Sequence, residues 1–101
     1  MELADIDRLA ASLDGVVART SAGLRHWRYQ GRLVARQLDE MRIVVRAEFD
    51  VRDALLTQFP DTFSVPRRYA KHMMVVADLR DGDPDAIEDA IAAAWKLQSE
   101  S

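Results

Sequence analysis

The sequence predicts an α+β domain, an antiparallel sheet packed against an N-terminal, a middle and a C-terminal helix. Three observations carry that expectation. Apolar residues recur at helical spacing near both ends of the chain. The stretch from Leu24 to Ala47 is rich in β-branched and aromatic residues punctuated by short polar turns. Gly, Pro and Asp stand where one pattern gives way to the next. A chain of 101 residues has the usual size of one domain, residues 1–101.

Leu3, Ile6, Leu9, Ala10 and Leu13 alternate with Asp5, Asp7 and Arg8, so residues 2–13 read as an amphipathic helix. Asp14-Gly15 ends it, glycine supplying the left-handed turn favoured at helix ends. Val16–Thr20 is a short β-prone run, broken by Ser21-Ala22-Gly23. Leu24–Tyr29, Arg32–Leu38 and Met41–Ala47 then read as three strands joined by two-residue turns at Gln30-Gly31 and Asp39-Glu40. In that register Tyr29 faces Arg32, Trp27 faces Val34, and Leu38 faces Met41. Trp27, Tyr29, Val34, Leu38, Met41, Ile43 and Val45 form the core face. His26, Arg28, Gln37, Arg42 and Arg46, with Leu33, Ala35 and Val44, form the outer one. A slip of one residue in either turn exchanges the two sets.

Asp50 is placed to cap a middle helix carrying Val51, Leu55 and Phe59 on one side, ending at Phe59-Pro60. Phe63–Val65 is a short extended piece, Pro66–His72 a basic loop, and Met73–Leu79 the last strand. Asp83 suits the N-cap of the C-terminal helix, Pro84 its first position, and Asp85 the positive end of its dipole. Ile87, Ala90, Ile91, Ala94 and Trp95 make its apolar stripe.

Composition removes several function classes. With 49% hydrophobic and 31% charged residues, disorder is not expected. No apolar run approaches the roughly 20 residues of a membrane span. The acidic start Met1-Glu2-Leu3-Ala4-Asp5 is unlike a secretory signal, and the chain has no cysteine, so the expectation is a cytoplasmic protein without disulfides. His26 and His72 stand alone with no ligand spacing around them, so neither metal nor cofactor is expected. Asp81-Gly82-Asp83-Pro84-Asp85 lacks the glycine and glutamate of a calcium loop, and helix capping accounts for it. No nucleophile elbow and no glycine-rich phosphate loop is present. Catalytic residues are therefore expected to be none.

Charge is segregated along the chain. Residues 19–80 hold twelve Lys or Arg against seven Asp or Glu, a local +5, while residues 1–18 carry −3 and residues 81–101 carry −5. The whole-chain value of −3 hides this basic middle. Arg28, Arg42 and Arg46 on the predicted outer face, with Arg67, Arg68 and Lys71 in the loop, are the candidate nucleic-acid-binding residues. Arginine outnumbers lysine twelve to two, which suits bidentate phosphate contact. The same residues also fit a solvated sheet face whose long stems cover apolar neighbours.

The order of motifs resembles a known family across nearly the whole chain. These are Leu13-Asp14-Gly15-Val16-Val17, the hairpin Trp27–Ala35, Val45-Arg46, Ala54-Leu55-Leu56, the run Phe59-Pro60-Asp61-Thr62-Phe63-Ser64-Val65-Pro66 with Tyr69 beyond it, and the closing Asp83–Ile87 and Ala94–Leu97. In these the chain resembles the MmcQ/YjbR-like family. The resemblance implies a secretion-chaperone-like α+β fold in a bacterial cytoplasmic protein, commonly described as having a double-wing DNA-binding arrangement. Met73-Met74 stands where the family often has an aromatic residue, and the Arg67–His72 loop is unusually basic. The resulting expectation is a non-enzymatic, monomeric protein that binds double-stranded DNA with low specificity. The alternatives are a protein- or small-molecule-binding module of chaperone-like fold, or self-association through an unpaired strand edge.

Overall fold

The apolar stripe of the first segment folds as α1 (Leu3–Ser12), which buries Ile6 and Ala10. The Glu2 amide donates to Asp5 Oδ2 at 2.7 Å, satisfying one of the donors a helix start leaves open. The structure, a computed structural model describing residues 1–100, continues with β1 (Val16–Ser21), β2 (Leu24–Tyr29), β3 (Arg32–Gln37) and β4 (Arg42–Arg46). Then follow α2 (Phe49–Gln58), β5 (Phe63–Ser64), a 3-10 turn at Arg67–Tyr69, β6 (Met74–Asp78) and α3 (Pro84–Ser99). The six strands form one antiparallel sheet in the order β1-β2-β3-β4-β6-β5. The expected α+β architecture with its three helices is present.

The meander has four strands, one more than expected. Ala22 and Gly23 have φ of 53° and 79°, and Gln30 and Gly31 have 47° and 80°. Positive φ at both central residues is the mirror-image turn whose twist matches the strands it joins. The Ser21-Ala22-Gly23 break is thus a hairpin between β1 and β2, with Ser21 still in the strand.

The third connection differs more. Asp39-Glu40 is not a two-residue turn; the link runs from Leu38 to Met41. Asp39 Oδ1 accepts from the Met41 amide at 3.0 Å and Oδ2 from Arg42 Nε at 2.8 Å, an aspartate folding the chain around its own side chain. The pairing shifts by one residue as a result. Ala35 faces Val45, Arg36 faces Val44, Gln37 faces Ile43, and the Leu38 amide bonds Arg42 rather than meeting Met41. Between β2 and β3, Tyr29 faces Arg32 as expected, but a bulge at Trp27/Arg28 puts Trp27 opposite Ala35 instead of Val34. Ala35 and Gln37 therefore belong to the helix-covered side and Arg36 to the other. Val34, the extra residue of the bulge, stays in the core.

α2 begins at Phe49 with Glu48 at its N-cap, not at a cap supplied by Asp50. It buries no residue completely, resting Val51, Leu55 and Leu56 against the core. α3 starts as the sequence predicts: Asp83 Oδ1 accepts from the Asp85 and Ala86 amides at 2.9 and 3.3 Å, with Pro84 at the first position.

One face of the sheet holds the core. Trp27, Val34, Ala35, Ile43, Val45, Val75 and Ala77 meet Ile6 and Ala10 of α1 and Ile87, Ala90, Ile91 and Ala94 of α3. The larger of these side chains each contribute roughly 1.5–3 kcal/mol through burial. The two indoles anchor their polar edges: Trp27 Nε1 donates to Asp7 Oδ1 at 2.9 Å, and Trp95 Nε1 to the Asp14 carbonyl at 2.8 Å. All three helices pack on this side, which leaves the opposite face of the sheet without a helix over it.

Candidate functional site

Residues opposite one another in antiparallel register share a face. One row runs across all six strands of the uncovered face: Arg19, His26, Arg36, Val44, Val76 and Ser64. Beside it Arg28 stands between Val17 and Leu33, Arg46 faces Met74, and Arg42 faces Asp78. The predicted Arg28, Arg42 and Arg46 thus share this face, as do His26, Leu33 and Val44. Val44 and Val76 are buried yet lie outside the main cluster.

The 3-10 turn folds back over the centre of this face. Tyr69 Oη accepts from Arg36 Nη2 at 2.7 Å, a contact spanning 33 residues of sequence. The Tyr69 ring also holds two guanidinium carbons, Arg36 at 5.7 Å and Arg68 at 4.9 Å from its centroid. Guanidiniums so placed are attracted by the ring's quadrupole. Arg52 of α2 holds the segment from behind, its Nη1 donating to the carbonyls of Tyr69, Ala70 and His72 at 3.4, 3.2 and 2.8 Å. Its other face lies on the Phe49 ring, with Cζ 4.8 Å from the centroid. Nε of Arg52 is buried without a partner.

The six predicted residues differ in what holds them. Arg28 donates from Nε to His26 Nδ1 at 3.2 Å and from Nη1 to the Gly31 carbonyl at 3.1 Å. Arg42 is tied to Asp39 at 2.7 Å. Their mutual hydrogen bond lowers the Asp39 pKa below the usual carboxylate value and raises that of Arg42 above the usual arginine value. Part of the Arg42 charge is already answered. The side chains of Arg46, Arg67 and Lys71 make no hydrogen bond or ion pair with the described residues, and Arg67, Arg68 and Lys71 are exposed.

Arg19, Arg36 and Tyr69 are the residues the sequence reading missed. Arg36 was hidden by the one-residue shift, which had assigned it to the core side. A signal was present: residues 15–38 contain five arginines and no Asp or Glu. Period-2 alternation, broken once on β3 by the bulge at Val34, then divides those arginines. Arg25 turns to Asp7 and Arg32 to the Gln98 carbonyl on the helix side, while Arg19, Arg28 and Arg36 share the open face. On β1–β3 that face carries three guanidiniums and an imidazole with no carboxylate among them.

On the helix side a groove of about 410 Å³ separates α2 from α3, with Ala47, Val51, Ala93 and Leu97 on its walls and Glu48, Lys96 and Glu100 around it. Among the described residues, no group of three or more His, Cys, Asp or Glu is placed to hold a metal ion. Among the described residues, no helix is long and apolar enough to cross a membrane. No family model, curated protein or solved structure matches the chain.

Proposed function

We propose that this chain is a non-enzymatic, bacterial and cytoplasmic member of the MmcQ/YjbR-like family that binds double-stranded DNA through the open sheet face and the 66–72 segment. The supporting observation is the carboxylate-free array of Arg19, His26, Arg28 and Arg36 on β1–β3. Arg46, Arg67, Arg68 and Lys71 extend it. Guanidiniums spread over a surface neutralise phosphates one by one, and the counterions released supply the affinity. All three helices lie behind the sheet, so none is offered to a major groove. Low sequence specificity follows, because phosphate contacts position a protein without reading bases. The acidic α3, with Asp85, Glu88 and Asp89, sits on the far side and orients the molecule with its basic face toward the duplex. The protein acts as a monomer in this reading.

The test is a fluorescence-anisotropy titration of a labelled duplex over a range of salt concentrations. Log affinity should fall linearly with log salt, by about 0.9 for each phosphate contacted. In the Arg46→Glu/Arg67→Glu/Lys71→Glu variant, whose three side chains hold nothing in the fold, the slope should shrink by roughly two to three. Absence of binding at low salt would overturn the reading.

A second reading, a protein- or small-molecule-binding module, is favoured by the groove between α2 and α3. Its apolar walls and charged rim have the composition of a ligand cleft. A duplex-negative protein whose α2 and α3 amides respond to small apolar ligands would establish that reading instead.

A further inference from the structure

We infer that the β1–β2 end of the open face carries a discrete binding site for one phosphate group, held between Arg19 and Arg28. A cavity of about 260 Å³ opens there, lined by Val17, Arg19, Arg28, Gln30 and Gly31. That volume accommodates a tetrahedral oxyanion and part of what bears it. No acidic residue lines it, whereas the cavity beside Arg42 is lined by Asp39, Glu40, Asp78 and Asp81.

The two cations are complementary in how they are held. Arg28 is fixed by two acceptors, His26 Nδ1 and the Gly31 carbonyl, neither of them a carboxylate. Ordering a long side chain of this kind costs rotamer entropy, and folding has already met that cost. Two of its five N–H groups are used, so three remain for a ligand. None of its charge is cancelled by a carboxylate. The Arg19 side chain has no hydrogen bond or ion pair with the described residues. Because Val17 faces Arg28 and Arg19 faces His26, Arg19 and Arg28 are diagonal neighbours, roughly 7–8 Å apart at the backbone. Long side chains at that separation can converge on one anion from two sides. Gly31 places no side chain over the mouth, and an ideal Cβ there would have no neighbour within 4 Å. The Gln30 amide supplies a further donor at the rim.

Guanidinium forks match phosphate better than a spherical anion, so the ligand class is a phosphate, from a nucleic-acid backbone or from a phosphate monoester. The site does not depend on the duplex reading. Inorganic phosphate, titrated into the full chain at constant ionic strength, should shift the amide resonances of residues 17–19 and 28–31 saturably. Chloride at equal ionic strength should leave them in place. Arg19→Ala, which removes nothing from the fold, should weaken phosphate at least tenfold, the order expected for one charge-assisted contact. Arg28→Lys keeps the charge but loses the fork, and should weaken it as well. Equal responses to chloride, or phosphate binding untouched by both variants, would overturn the site.

Duplex titrations of Arg19→Ala then separate the two sources. A salt slope reduced by about one assigns the site to a backbone phosphate. An unchanged slope assigns it to a monoester, and both results uphold the site. If no duplex binds at all, the reading in the previous section fails while the phosphate titration still decides this one.

Discussion

Ala18, Trp27, Ala35, Val45 and Val75 stand side by side on the helix-covered face of the sheet. One residue further along the same strands, Arg19, His26, Arg36, Val44 and Val76 stand side by side on the open face. From Trp27 to Val75 the first row is buried under α1 and α3, while Ala18 at its β1 end is exposed. In the second, the apolar centre at Val44 and Val76 lies beside the 3-10 turn brought over by Tyr69, and the β1–β3 end carries Arg19 and Arg36 on either side of the His26 imidazole. Like charges on neighbouring strands repel, so the cationic end costs stability that the covered face must offset.

That contrast can be broken most forcefully from the covered side. Trp27→Ala removes an indole that is 1% exposed and anchored to Asp7. It should lower unfolding free energy by about 3–5 kcal/mol, read from urea denaturation. Arg19→Ala, on the same strand pair but the other face, should change stability by less than about 0.5 kcal/mol. Comparable losses in the two variants would mean that the faces are not energetically distinct.

A middle-sized effect is expected where the open face is tied to α2. Arg52→Met keeps the stem but deletes the contacts to the Tyr69, Ala70 and His72 carbonyls. It should cost about 1–3 kcal/mol and raise amide exchange across residues 67–72. Those amides should exchange faster while Val44 and Val45, paired in the sheet, remain protected. Uniform loss of protection would show that the turn is part of the core and not an addition to the face.

The smallest effect belongs to the Asp39–Arg42 pair, which is exposed to solvent. The Asp39 pKa is lowered in the folded state, so its contribution is present above the ordinary aspartate value of about 3.9. It is lost as pH falls through the lower folded value. Asp39→Asn should therefore be slightly less stable than wild type at neutral pH and indistinguishable from it in strong acid. A difference that persisted in acid would assign the role of Asp39 to its turn geometry and not to its charge.

Much of the fold was legible because it is written locally. The α1 stripe, the Gln30-Gly31 turn and the Asp83-Pro84 start of α3 each depend on residues within a few positions of one another. The open face was only partly legible. Arg28, Arg42 and Arg46 were placed on it, but Arg36 was not. Its face depends on the bulge at Trp27/Arg28 and on how far the Asp39 turn extends. Tyr69 was visible as part of a basic loop, yet nothing nearby in sequence indicates that its hydroxyl meets Arg36.

The sequence by itself determined the order of the three helices and most of the strands, and that the basic charge lies in the middle of the chain. Only the tertiary structure decided which face each arginine occupies and which of them are already engaged. The physical reason is the two-residue period of a strand: every residue is one step of register from the opposite side, and register is set by pairing between distant segments. Composition fixes how much positive charge the sheet carries; pairing decides where it is shown.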